Sequence, residues 1–378
     1  MHTTNADATV PPFSRIKKYS LNFILVFIGI VLPCLLIEII LRGIHLQVSS
    51  FDDRSFRRSA WSLRPNSGSN SYVGVPIRIN NLGLRGPDTV LTKSPGTFRI
   101  IGVGDSITFG YGVPYEDTFL HVLESDLNEQ GKALGISSVG RYEVLNAGIA
   151  STGLEYYSHF IEDVAPAMQP DLILVCMALN DIDPDLDREP KEPSSRISLL
   201  RSVNGYFLTH SYAYNISYAQ LKSALFRANI LKLKDNEGFG FLALDPPSPL
   251  QNKAREGVQR YLARIAAVTR AHHQRLGIVV FPLEPQLSER ALKLYAEKLH
   301  LYLSSEVMSG QPQRWIKEIG IEMSVPVLDL LPAMRRGDRG DLYLRNRSIS
   351  VDPAHPSVAG HRLAGDEIAR WVKEARLL

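Results

Sequence analysis

Short strand-like runs that alternate with helix-spaced segments leave this chain few folds to adopt. Phe98–Val103, Tyr142–Leu145 and Leu172–Met177 are the first three such runs. Between them, Thr118–Gln130 carries Phe119, Val122, Leu123 and Leu127 at helical spacing, and Leu154–Met168 reads as a second helix. The run Leu172–Met177 contains no polar residue, the signature of a strand buried on both faces. Strand, helix, strand, helix, strand in this order implies right-handed crossovers and a parallel sheet with helices on both sides. The pattern resumes with an amphipathic helix (Val258, Tyr261, Leu262, Ile265, Ala266), a strand at Gly277–Phe281 and helices through Gly320. A last core strand at Val325–Leu328 ends at Asp329, and a terminal helix shows Ala364, Ile368, Trp371 and Val372 on one face. The expected fold class is α/β, a three-layer α/β/α sandwich around a central parallel sheet.

Two segments interrupt that regularity. Residues 183–250 begin with an acidic, Pro-rich loop and end at Asp245-Pro246-Pro247, with Tyr, Leu, Phe and Ile between, and are too long for an ordinary connection. A lid over a substrate cleft and an extra helical pair packed on one face both fit. At the other end of the chain, Leu21–Ile37 is uncharged and almost wholly apolar, and Ile39-Ile40-Leu41 continue it past Glu38. About 20 such residues is the length a helix needs to cross hydrocarbon. A signal peptide would have a shorter core and a small-residue cleavage site, and Leu-Arg-Gly-Ile is a poor one. Glu38 would snorkel, stay protonated or pair with a partner helix. The expected organisation is therefore a tail at 1–19, a transmembrane helix at 20–42, a polar lead-in at 43–96, and one α/β domain at 97–378 carrying the insertion 183–250. Within the lead-in, Arg64–Asn70 reads as loop.

Composition narrows the function. Forty-two Lys and Arg against 39 Asp and Glu leave a net charge of +3, which argues for no nucleic-acid partner. The two cysteines, Cys34 and Cys176, lie in distant apolar runs, so a disulfide between them is not expected. No ligand spacing suggests a metal, and no glycine-rich phosphate loop or flavin signature suggests a cofactor.

Four blocks carry chemistry: Gly104-Asp105-Ser106, Asn146-Ala147-Gly148, Asn180-Asp181 and Asp352-Pro353-Ala354-His355. Ser106, Gly148 and Asn180 each follow a strand, and in a parallel α/β sheet the carboxyl ends of the strands face one crevice. Ser106 needs a base to become a nucleophile. His355 supplies one, and Asp352, three residues earlier, orients its ring. An ester carbonyl attacked by Ser106 becomes an oxyanion, and the N–H groups of Ser106 and Gly148 and the side-chain amide of Asn180 are the candidate donors. Asp105 and Asp181 are read as supports that hydrogen-bond the loops around the site. Taken singly, a Gly-Asp-Ser triplet is usually a turn and Asn-Asp a helix cap; only the ordered set is specific. His361 lacks an Asp three residues before it and is read as structural, Asp329 as a cap, and the His272-His273 pair as the exposed end of a helix. Arg335, Arg336, Arg339, Arg345 and Arg347 form a basic stretch that is either a solvated loop or a hold for an anionic polysaccharide or phospholipid.

These blocks resemble those of the bacterial SGNH hydrolases, the GDSL family of esterases and lipases. The resemblance spans roughly residues 97–375, and Ile79–Gly86 with Phe98-Arg99-Ile100 looks like the lead-in of membrane-anchored members. Ile107 replaces the usual Leu, and Ala178 the usual Gly of the third block. The resemblance implies a flavodoxin-like SGNH hydrolase fold preceded by one transmembrane helix, in a single-pass protein of the cytoplasmic (inner) membrane whose catalytic domain lies in the periplasm or outside the cell. It implies a serine esterase that removes acyl groups, O-acetyl above all, from an acylated saccharide or lipid. The alternatives are an O-acyltransferase on a cell-envelope or exported polysaccharide, and a non-catalytic polysaccharide-binding or assembly protein on the same fold.

Overall fold

The computed structural model describes residues 28–29, 31–41, 53, 55–134, 140–182, 248–299, 303–345 and 351–378, with scattered positions between 203 and 225. The chain divides into two compact units, Ser49–Ser194 with Lys222–Leu378, and Met1–Val48 with Ser195–Leu221.

The larger unit is built on a five-stranded sheet: β5 (Thr97–Gly104), β6 (Arg141–Gly148), β7 (Leu172–Ala178), β8 (Arg275–Phe281) and β9 (Val327–Asp329). They pair in the order β6-β5-β7-β8-β9, every pair parallel. The first strand of the sheet thus has its successor on one side and the third on the other. That reversal is the topological switch point, and it lies between β5 and β7, where ligands bind in open α/β sheets.

Alternate residues of each strand point to opposite faces, and both faces are covered. Ile101, Val103, Ile173, Val175, Ile278 and Val280 pack under Leu154, Val258, Leu262, Ile265, Trp315 and Ile316. Ile100, Val144, Leu172, Leu174, Val279 and Phe281 pack under Phe119, Leu123, Ala364, Ile368 and Val372. The described helices of this unit are α1 (Ser106–Phe109), α2 (Phe119–Leu134), α3 (Leu154–His159), α4 (Pro249–Ala271), α5 (Glu289–Leu299), α6 (Gln311–Met323), α7 (Leu331–Gly337) and α8 (Val358–Glu374). The helix expected over Leu154–Met168 breaks after α3 into a π turn and a 3-10 turn, Ala165–Met168, which holds Pro166. Proline has no N–H for the α ladder, so the chain leaves the regular helix there.

The polar lead-in differs most from expectation. Residues 67–70, read as loop, belong to β3 (Ser67–Tyr72), which pairs antiparallel with β4 (Val75–Ile79). Val73 and Gly74, at φ 53 and 87, make the turn, a conformation that matches the twist of a two-residue hairpin. A smaller hairpin, β1 (Arg57–Ser59) with β2 (Ser62–Leu63), precedes it. Phe56, Leu63, Tyr72, Val73, Ile77, Ile79 and Leu84 all join the core of the larger unit. The lead-in from Phe56 onward thus packs in the same compact unit as the sheet.

Arg85 ties this lead-in to the turn that follows Ser106. Its guanidinium is buried, donates to the carbonyls of Phe109, Gly110 (2.6 Å) and Val113 (2.5 Å), and sits 4.9 Å over the Phe109 ring. Burial lowers its pKa to about 10 even with the Glu116 carboxylate nearby, so it stays cationic at neutral pH.

In the smaller unit, residues 28–29 and 31–41 are helical, and the rest of the expected span 20–42 lies outside the described residues. Among the described residues no helix is long and apolar enough to cross a membrane. The expected tail 1–19 and most of the insertion 183–250 also lie outside them. Within the expected insertion, Ser195–Leu221 groups with the N-terminal segment in the smaller unit.

Candidate active site

Backbone crowding dictates the turn at Ser106. A Cβ on Gly104 would lie 2.0 Å from Thr108 Oγ1 and 2.4 Å from the Cys176 carbonyl, so only glycine lets β5 turn sharply into α1. Asp105 caps the new helix through Oδ1, which accepts from Ile107 N at 2.8 Å. Gly110, at φ 85, ends the helix after one turn. Ser106 is left as its first residue, where a backbone N–H has no acceptor within the helix.

The loop before α8 returns to the same edge. His355 Nε2 lies 2.8 Å from Ser106 Oγ, and His355 Nδ1 lies 2.8 Å from Asp352 Oδ2. The second oxygen of Asp352 accepts from the backbone N–H groups of Ala354 (2.9 Å) and His355 (3.0 Å). Burial would raise the Asp352 carboxyl, but its bond to His355, that residue's charge and the two backbone donors outweigh it and hold the pKa low. The Tyr111 ring stacks on His355 with centroids 4.2 Å apart, and Tyr72 meets Tyr111 edge-on at 5.6 Å.

Asn180, just after β7, is exposed and donates through Nδ2 to Asp105 Oδ2 at 3.0 Å. An amide has two N–H groups, so one remains for a ligand. Asp181 is buried behind it. Its Oδ2 accepts from Ala178 N and Tyr157 Oη, both at 2.8 Å. Burial, then the charge of Asp105, pushes the Asp181 carboxyl well above the usual carboxylate range.

Gly148 sits differently from the expected donor. Its N–H is already committed to Asn146 Oδ1 at 3.0 Å. A Cβ there would meet Phe109 N at 2.2 Å and Thr108 C at 2.6 Å, so the missing side chain makes room for α1. Asn146 fixes the same contact by donating to the Thr108 carbonyl at 2.8 Å. The structure thus brings Ser106, His355, Asp352, Asp105 and Asn180 together and turns the Gly148 N–H aside.

Around the Asp352 loop, Glu284 and Tyr295 were not evident from the sequence, and Arg345 was evident only as part of the basic stretch. Glu284, Tyr295 and Arg345 surround the Asp352 carbonyl: Tyr295 Oη is 2.9 Å and Arg345 Nη1 3.4 Å from it, and both also engage the Glu284 carboxylate. Glu284 N donates to Pro353 O at 2.8 Å. Burial and then the charge of Glu284 raise the Tyr295 hydroxyl, keeping it protonated. Glu284 follows β8 at the carboxyl edge, and that position was the available signal. Arg345 is therefore no solvated loop residue, whereas Arg335 is exposed on α7 and reaches the Gln286 carbonyl at 2.7 Å. Arg347 lies outside the described residues.

The remaining candidates are structural. His361 is buried and its Nδ1 accepts from Phe119 N at 3.2 Å; burial lowers its pKa to about 3, so it stays neutral. Asp329 accepts from Leu331 N at 2.9 Å and pairs with Lys317. His272 and His273 close the C-terminal end of α4.

Comparison with solved structures finds a lipase/acylhydrolase from Enterococcus faecalis at 17% identity and TM-score 0.39, covering 73% of this chain and 96% of that one. The acetyl xylan esterase AlAXEase matches at 14% identity and TM-score 0.41, over 73% of this chain and 100% of the other. Axe2, an acetylxylan esterase from Geobacillus stearothermophilus, matches as a catalytic mutant at 15% identity and TM-score 0.38, over 74% and 94%. No curated protein matches the chain. The sequence profile of the GDSL-like Lipase/Acylhydrolase family matches residues 103–306, which carry the Ser106, Gly148 and Asn180 blocks and more than half the chain. On that match, the chain belongs to the GDSL-like lipase/acylhydrolase family and is an ester hydrolase.

Proposed function

We propose that the protein is a membrane-anchored serine esterase in which Ser106 is the nucleophile, His355 the general base and Asp352 the group that orients it. The observation that carries this is the unbroken relay from Ser106 Oγ through His355 to Asp352, with both links at 2.8 Å. Ser106 Oγ bonds to the ester carbonyl carbon as its proton passes to His355 Nε2, and the carbonyl electron pair moves to oxygen. The Ser106 N–H and the second N–H of Asn180 face that oxyanion; one such donor is worth about 3 kcal/mol in the barrier. Collapse expels the alcohol, which takes the proton back from His355. Water then repeats the sequence on the acyl-serine with His355 as base, and the acid leaves. Asp352 stays ionised throughout and stabilises the imidazolium.

The acyl group is acetyl and the alcohol a saccharide of the cell envelope. The apolar run at 21–41 anchors the chain once in the cytoplasmic membrane, with its N-terminus inside and the catalytic unit outside. What supports the anchor is the length of that run and its lack of a polar face. The test is hydrolysis of p-nitrophenyl acetate, butyrate and octanoate by the full-length protein in detergent, with Ser106→Ala alongside. Turnover that depends on Ser106 and favours acetate is expected. Turnover that survives Ser106→Ala would refute the mechanism, and a preference for octanoate would refute the acyl assignment.

A further inference from the structure

The insertion contains a feature that the esterase chemistry does not use. Ser202–Leu221 holds no Asp, Glu, Lys or Arg, although Arg201 and Lys222 stand directly on either side. Its described aromatic rings face outward: Tyr206 is 55% exposed, Phe207 45%, Tyr218 39% and Tyr214 36%. They also touch in series, Tyr206 to Phe207 at 5.7 Å, Phe207 to Tyr214 at 5.5 Å and Tyr214 to Tyr218 at 6.2 Å.

This segment forms one compact unit with the N-terminal helix. The contact is specific. The carboxylate of Glu38, the single charge in the apolar run, accepts from Ser211 Oγ and from Ala213 N, both at 3.0 Å and 173 and 175 positions away in the chain. Around Glu38 the helix is apolar on every side, with Leu32, Leu35, Leu36, Ile37, Ile39 and Ile40 all exposed. A helix apolar all round is either the buried core of a large protein or a membrane span, and these side chains are exposed.

We propose that Tyr206, Phe207, Tyr214 and Tyr218 form a second membrane contact, seated in the bilayer interface against the N-terminal helix, with lipid covering the exposed rings. The proposal rests on the membrane anchor inferred above and extends it to a distant stretch of chain. Tyrosine suits this place because its ring is apolar and its hydroxyl reaches water or headgroups, which is why such residues form belts at membrane interfaces. A protein-docking rim would carry charged side chains; none occurs here over the whole stretch. Ser211 and the Ala213 N–H solve the anchor's one difficulty, since an ionisable side chain within a membrane needs polar partners supplied by protein. The insertion therefore fastens the catalytic unit to the membrane at a second point in sequence.

The test uses the full-length protein with Cys34→Ala, which leaves only the buried Cys176. Single cysteines are placed at Ile39, at Tyr214 (Tyr206 as duplicate) or at Glu256 on the exposed face of α4, and labelled with an environment-sensitive fluorophore. Each variant is reconstituted into phosphatidylcholine–phosphatidylglycerol vesicles, checked for folding by fluorophosphonate labelling, and quenched with doxyl lipid or aqueous iodide. Labels at 39 and 214 should be quenched by doxyl lipid and shielded from iodide, and the label at 256 should behave oppositely. A lipid-quenched label at 39 with an iodide-quenched label at 214 would overturn the second element and leave the anchor standing. A label at 214 shielded from both quenchers would mean that protein covers it, with the same consequence. If the label at 39 also escapes doxyl lipid, the anchor itself fails and the second element with it.

Discussion

Replacing Asp352 by Asn tests the relay with almost no change of shape. Asp352 Oδ1 accepts from two backbone N–H groups, those of Ala354 and His355, while Oδ2 faces His355 Nδ1. In Asp352→Asn the amide oxygen must take the Oδ1 place, because an NH₂ group there would confront two donors. The Nδ2 group then points at His355 Nδ1 and can only donate to it. His355 is forced into the tautomer with its proton on Nε2, which donates to Ser106 and cannot accept its proton. The loss expected from a wrong tautomer is about 10⁴-fold in kcat, roughly 5 kcal/mol in the barrier. KM should change little, since no substrate contact is removed. The assay is steady-state hydrolysis of p-nitrophenyl acetate, paired with a denaturation midpoint to show that the fold is intact. A folded Asp352→Asn protein that keeps kcat within tenfold of the parent would refute the orienting role of Asp352.

Three further outcomes follow from the packing and the charges. Gly148→Ala should destabilise the larger unit by about 1–3 kcal/mol and slow fluorophosphonate labelling of Ser106, because the new Cβ overlaps the Thr108–Phe109 backbone; urea midpoints and labelling rates measure both, and unchanged values would mean that the helix yields freely. Arg85→Met leaves up to three buried carbonyls without their donor, each costing about 1–3 kcal/mol, whereas Arg78→Met removes only an exposed pair with Asp88 worth about 0–1 kcal/mol; equal losses in chemical denaturation would contradict the assigned role of Arg85. Asp181, with its pKa raised by burial and by Asp105, holds a proton in the folded state that the unfolded chain releases near pH 4. Its contribution to stability is therefore full below about pH 4 and is lost as pH rises through the folded pKa. Asp181→Asn should flatten the fall in urea midpoint from pH 4 to 8, and an unchanged slope would place the proton elsewhere.

Much of this protein is local chemistry and was legible residue by residue. The central strands are buried on both faces, so each reads as a nearly continuous apolar run, and β7 was found almost to the residue. The Asp352–His355 pair was legible because a tight turn within four residues brings the two side chains together. The lead-in hairpin was not, because β3 is made of Ser, Gly and Asn and becomes a strand only by pairing with β4. Tertiary structure alone decided the direction of the Gly148 N–H, which depends on how closely α1 packs on β6. It alone joined Glu284 to Arg345 across 61 positions, and Glu38 to Ser211 across 173. Hydrophobic periodicity and turn residues act over a few neighbours and are written into the chain in order. A buried charge or a donated N–H finds its partner only once distant segments have been packed together, and the cost of leaving it unpaired selects that partner from the whole fold.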